Sequence, residues 1–95
     1  MALMGDTVKL RVEFRRWDGT PADPDEITLT IYSEHKNPIE TIEITPLYSV
    51  DIGVYEYPYT IPTIKNDTVL YYRFEGILEG HPIATTNSIP IHFSK

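Results

Sequence analysis

The chain of 95 residues contains no cysteine. That excludes a disulfide framework, a thiolate nucleophile and any cysteine-held metal. Cations are scarce too, since eight Lys and Arg stand against fourteen Asp and Glu, for a formal charge of -6 and a pI near 4.8. Phosphate backbones are bound by clustered Lys and Arg, so nucleic acid is not an expected partner. Arg11, Arg15 and Arg16 form the densest basic patch, and their alternation with apolar positions reads as a solvated strand face. The acidic balance serves solubility and suits a basic partner surface. Long apolar runs are missing as well. No stretch approaches the ~18 residues of a membrane span, and Met1 to Asp6 has neither the basic start nor the apolar run of a signal peptide. The expectation is a protein without a membrane partner, cytoplasmic when synthesised.

Catalytic patterns are equally absent. Ser33, Ser49, Ser88 and Ser94 offer hydroxyls, but none lies in G-x-S-x-G or beside a His and Asp placed for proton relay. No Gly-rich phosphate loop occurs, and a small all-β chain seldom has the cleft that paired carboxylates need for glycoside chemistry. His35, His81 and His92 show no metal-ligand spacing. The expectation is a non-enzyme without cofactors. Asp18, Asp23, Asp25 and Glu26 crowd one connection and are the best candidate for a hard cation such as Ca²⁺, although the order D-x-[DN]-x-[DN]-G is lacking.

What the chain does contain is strand pattern. Thr7 to Arg15 alternates, with Val8, Leu10, Val12 and Phe14 on one face and charged residues on the other, as in a half-buried antiparallel strand. Arg16 to Glu26 holds Asp18-Gly19, Pro21 and Pro24, a polar connection suited to a crossover between sheets. Ile27, Leu29 and Ile31 mark a second strand and Ile39 to Thr45 a third, with Ile42 and Ile44 inward. Leu47 to Val50 is expected to add a short edge strand. Asp51-Ile52-Gly53 then turns the chain into Val54 to Ile61, whose Tyr55, Tyr57 and Tyr59 fall on one face and whose Pro58 suggests an edge or a bulge. Ile64 to Asp67 reads as a polar connection. Thr68 to Leu78 pairs with Pro82 to Phe93 across a turn containing Gly80, and Asn87-Ser88 with Pro90 suggests a bulge in the last strand. No helical period appears over a helix-length window. The fold class expected is all-β: an Ig-like antiparallel sandwich of about seven strands, without substantial helix, forming a single domain over residues 1–95 with 1–5 flexible.

Aromatics supply the remaining candidates. Of the seven tyrosines and one tryptophan, Trp17, Tyr32, Tyr48 and Tyr72 are read as a contact surface, because exposed Trp and Tyr anchor protein interfaces or stack on sugars. One ring of Tyr71-Tyr72 must point outward by strand alternation.

Gly5-Asp6-Thr7-Val8, Asp18-Gly19-Thr20-Pro21 and Gly53-Val54-Tyr55 through Ile61-Pro62 together resemble the bacterial Ig-like modules, over almost the whole chain. Asp51-x-Gly53-x-Tyr55 also looks like the tyrosine corner of immunoglobulin domains. An acidic, cysteine-free module of this size is similar to small Ig-like proteins of phage and prophage structural clusters in Gram-positive bacteria. That resemblance implies a virion part of head, neck or tail, working through contacts with other protein subunits, self-association included. A carbohydrate-binding module with an aromatic platform is the alternative.

Overall fold

Strand alternation decides the architecture. In a computed structural model, which describes residues 2–3, 5–63 and 67–92, the strands are β1 (Ala2–Leu3), β2 (Thr7–Glu13), β3 (Asp25–Tyr32), β4 (Pro38–Glu43), β5 (Ser49–Asp51), β6 (Val54–Thr60), β7 (Thr68–Leu78) and β8 (His81–His92). They form one sheet in the order β1-β8-β7-β3-β4 and a second in the order β2-β6-β5. Every pairing is antiparallel except β1 beside β8. The only helical turn among the described residues is a 3₁₀ turn at Pro46–Tyr48.

The apolar sets that alternation names in β2, β3 and β6 meet between the sheets, joined there by residues of β7 and β8. Leu10 and Val12 of β2, with Tyr55 and Tyr59 of β6, pack against Leu29, Ile31, Leu70, Phe74, Ile89 and Ile91 of the larger sheet. Each such fully buried side chain contributes on the order of 1.5–3 kcal/mol. The chain is therefore an all-β sandwich. Its β2-β6-β5 order matches B-E-D of an immunoglobulin domain, and β8-β7-β3-β4 matches G-F-C-C′. The connection of residues 14–24 passes from one sheet to the other, as a crossover should.

Several details depart from sequence expectation. Leu47 to Val50 is not one edge strand, because Pro46 starts the 3₁₀ turn and β5 begins only at Ser49. The last strand has no bulge, since β7 and β8 stay in register from Leu78↔His81 to Thr68↔Ile91. Pro82 and Pro90 are accommodated by parity: the pair closing a short hairpin exchanges hydrogen bonds, so both prolines fall in pairs that do not. The bulge lies instead in β3, where Glu26, at φ 53°, and Ile27 together oppose Gly76. Pro58 is at a local edge, because β5 pairs with β6 only as far as Tyr55. Residues 1–5, expected to be loose, are tied in part: Ala2 and Leu3 pair with Ile91 and His92, and the Gly5 N–H donates to the Ile61 carbonyl at 3.0 Å. Phe93 and residues 64–66 of the expected polar connection lie outside the described residues.

Two glycines hold positive φ for different reasons. Glu79-Gly80 closes the β7–β8 hairpin with φ of 52° and 80°, the signature of a primed turn, and a Cβ on Gly80 would meet nothing. Gly53, at φ 73°, is wedged where a Cβ would come within 2.5 Å of the Phe14 carbonyl oxygen and 2.9 Å of Ala22 backbone atoms. Gly53→Ala is expected to cost about 3 kcal/mol or more, through strain plus overpacking, and Gly80→Ala only about 1 kcal/mol. Urea unfolding of the two variants checks the contrast, and equal midpoints would refute it.

Candidate interaction surface

The connection between β2 and β3 leaves the sandwich as a braced protrusion. Phe14 donates its N–H to the Gly53 carbonyl at 2.7 Å, and Ala22 donates to the Phe14 carbonyl at 3.1 Å, which fixes the base. Asp23 locks that base to β6: one carboxylate oxygen accepts the Gly53 N–H at 2.7 Å and the Tyr55 hydroxyl at 3.1 Å. The likeness of Asp51-x-Gly53-x-Tyr55 to the tyrosine corner does not hold, since there the ring opens strand F and its hydroxyl bonds backbone a few residues upstream. Here the ring opens β6, the E-equivalent strand, and its hydroxyl is held by a side chain of the crossover.

Farther out, Arg16 and Thr20 close a turn by a 2.9 Å backbone bond, and the Asp18 carboxylate accepts both the N–H and the hydroxyl of Thr20, at 3.0 and 2.7 Å. Those two bonds hold the Asp18 carboxyl below its ordinary range, the hydroxyl having the larger effect. Arg15 caps the Gly19 carbonyl at 2.9 Å, and Arg16 reaches the Glu79 carboxylate at 2.8 Å, tying the protrusion to the tip of the β7–β8 hairpin. Trp17 stands on this frame fully exposed, at 101%. Around it lies a shallow depression of about 400 Å³ lined also by Leu78, His81, Pro82 and Ile83. By strand equivalence these are the B–C and F–G loops, the end at which antibody variable domains carry their binding loops.

The other surface candidates are scattered. Tyr32 lines an open groove of about 570 Å³ on the outer face of the larger sheet, with Lys36, Tyr71, Arg73 and Asn87 among its walls. Tyr48 packs on Tyr57, with ring centroids 5.0 Å apart, against the core. Tyr72 does not face outward. It packs against the core and meets Phe74 edge-on at 6.0 Å, so Tyr71 is the outward ring of the pair, with Lys36 5.3 Å over it. Parity with the buried Leu70 and Phe74 was the available signal. Sequence reasoning also missed that Leu47, Val50 and Ile52 are exposed, Leu47 at 91%. The turn at Pro46 removed the strand parity that would have placed them.

The acidic residues do not assemble a cation site. Asp18 is engaged within its own turn and Asp23 with the start of β6, while Asp25 precedes the β3 bulge and Glu26 is part of it. Among the described residues no three His, Cys, Asp or Glu side chains come together as metal ligands. His35 is exposed on a turn and His81 at the first position of β8, and the His92 side chain lies outside the described set. No helix among the described residues is long and apolar enough to cross a membrane. Comparison of the chain with protein-family models, curated proteins and solved structures finds no match.

Burial raises the Tyr55 hydroxyl above its ordinary value of 10.0, and the Asp23 hydrogen bond and charge add to the rise. Burial likewise raises Tyr57, Tyr59 and Tyr72. A tyrosine with a raised folded pKa contributes stability that is fully present below its unfolded pKa of about 10 and is lost as pH rises through the folded value. The melting temperature should therefore fall as pH rises past the unfolded value of about 10, more steeply for wild type than for Tyr55→Phe. Paired thermal melts and phenolate absorbance measure this, and a flat profile would contradict the assignment.

Proposed function

We propose that the protein is a non-catalytic structural and interaction module, a phage or prophage virion component of head, neck or tail that acts through contacts with other protein subunits. The observation that carries this reading is Trp17. A fully exposed indole stands on a frame whose turn, base and neighbouring hairpin are each fixed by hydrogen bonds. Because the frame is ordered before contact, less conformational entropy is lost on association. Buried Trp side chains dominate interface energetics. Leu47, Val50 and Ile52 add further exposed apolar surface.

No observation favours the carbohydrate alternative. A stacking platform needs rings side by side, whereas Trp17 sits at the protrusion, Tyr32 in the groove of the larger sheet and Tyr48 against Tyr57.

The test is capture of the purified proteins encoded beside this gene by the immobilised chain, with light scattering for self-association. Trp17→Ala should leave folding stability within about 0.5 kcal/mol of wild type, since the ring buries nothing, and weaken capture by about 10-fold or more. A strict monomer that captures none of them, or a variant that binds undiminished, would overturn the proposal.

A further inference from the structure

Four strand edges are open in this sandwich, and three carry known devices against pairing. β8 has Pro82 and Pro90, which by parity remove donors from its outer edge, and β1 covers its end. β4 begins at Pro38, shifts register beside Tyr32 and exposes only acidic charges, Glu40 and Glu43. β5 is 3 residues long and irregular. Prolines, bulges, shortness and inward-pointing charges are how edges are kept apart.

β2 carries only one such device, the outward charges Lys9, Arg11 and Glu13, and these are of mixed sign. Its 7 residues contain neither Pro nor Gly and stay in register with β6 from Thr7↔Thr60 to Glu13↔Val54. Its inward residues Val8, Leu10 and Val12 are apolar, and no described strand lies on its other side. The direction of its backbone can be read from the ladder's ends. The Phe14 N–H donates to the Gly53 carbonyl at 2.7 Å and the Ile61 N–H to the Asp6 carbonyl at 2.8 Å, so even-numbered residues bond β6. Thr7, Lys9, Arg11 and Glu13 therefore aim N–H and C=O outward along the free edge. Their side chains lie on the outer face, where charges do not block an added strand.

Those charges are also self-complementary. An antiparallel two-fold pairing centred on Arg11 sets Lys9 against Glu13 of the second copy, twice. It also sets Arg11 against Arg11 on the axis, a like-charge pair that the Glu13 and Glu56 carboxylates at 3.1 and 3.3 Å partly offset, so the two Lys9–Glu13 pairs carry the attraction. Centring one residue earlier would set Lys9 against Arg11, a like-charge pair that opposes association. We propose that β2 pairs with β2 of a second copy of this chain in this register, merging the two smaller sheets into one continuous sheet. The proposal rests on the interaction-module reading and specifies its self-association contact.

Sedimentation over a concentration series reads it. Wild type should form a dimer whose dissociation constant rises about 10-fold or more in Lys9→Glu, where both cross-copy pairs become repulsive, and recovers in the Lys9→Glu, Glu13→Lys exchange. The absence of cysteine permits a second readout. Arg11→Cys places two thiols on the two-fold axis at a Cα separation of about 5.5 Å, within disulfide reach, and should cross-link under mild oxidant while Thr41→Cys on β4 does not. A monomer at every concentration, a dimer indifferent to the charge exchange, or equal cross-linking of both cysteine variants would overturn the edge contact. Loss of Trp17-dependent capture is read separately, so failure here leaves the broader reading standing.

Discussion

One carboxylate holds together the parts of the molecule that sequence keeps far apart. Asp23 accepts the Gly53 N–H and the Tyr55 hydroxyl, and so fastens the crossover between sheets to the first residues of β6. Gly53 completes the joint from the other side, since only a residue without Cβ lets the Phe14 and Ala22 backbones close over it. With that joint made, β2, the crossover and β6 meet at one point. The protrusion carrying Trp17 inherits its direction from it. A sandwich that lacks an inter-sheet disulfide forgoes about 2–4 kcal/mol of constraint, and this polar joint is placed where the chain changes sheets.

Polar groups are spent at the loop end and apolar ones between the sheets, so the two ends of the domain differ in character. At the protrusion, Asp18, Arg15, Arg16 and Glu79 bond the backbone and one another while the indole is left out. Their ion pairs are solvent-exposed and individually worth little. Their effect is to limit the conformations of the loop. The outer face of the larger sheet has a different chemistry, with Lys36 and Arg73 beside Tyr71 in a molecule that is otherwise acidic.

Much of the framework was legible in the residues because strand period is local. Alternation in Thr7 to Phe14, in Ile27 to Ile31 and across Gly80 placed most of the strands and named the core residues of β2 and β3, though not Leu70, Phe74, Ile89 or Ile91, and the turn residues placed the crossover and the long hairpin. What was not legible was set by partners distant in sequence. The Tyr55 hydroxyl meets Asp23 across 32 positions, which no spacing rule reveals. Pro90 looked like a bulge, and only the register counted from the turn shows that its ring costs the ladder nothing. Tyr72 shares parity with the buried Leu70 and Phe74, which points it inward and leaves Tyr71 as the outward ring of the pair. Trp17 was legible as a residue but not as a presented one, because the brace comes from Glu79, 63 positions away.

The order of synthesis adds a consequence to the shape of β7 and β8. Their turn closes over two residues, as does that between β5 and β6, so it forms with little loss of chain entropy, whereas Thr7 must find Thr60 across 53 positions. Until β6 follows it, β2 has no partner strand to cover Leu10 and Val12, and the strand with the least protected edge waits in an aggregation-prone state. The alternating charges of Lys9, Arg11 and Glu13 keep that waiting strand in water.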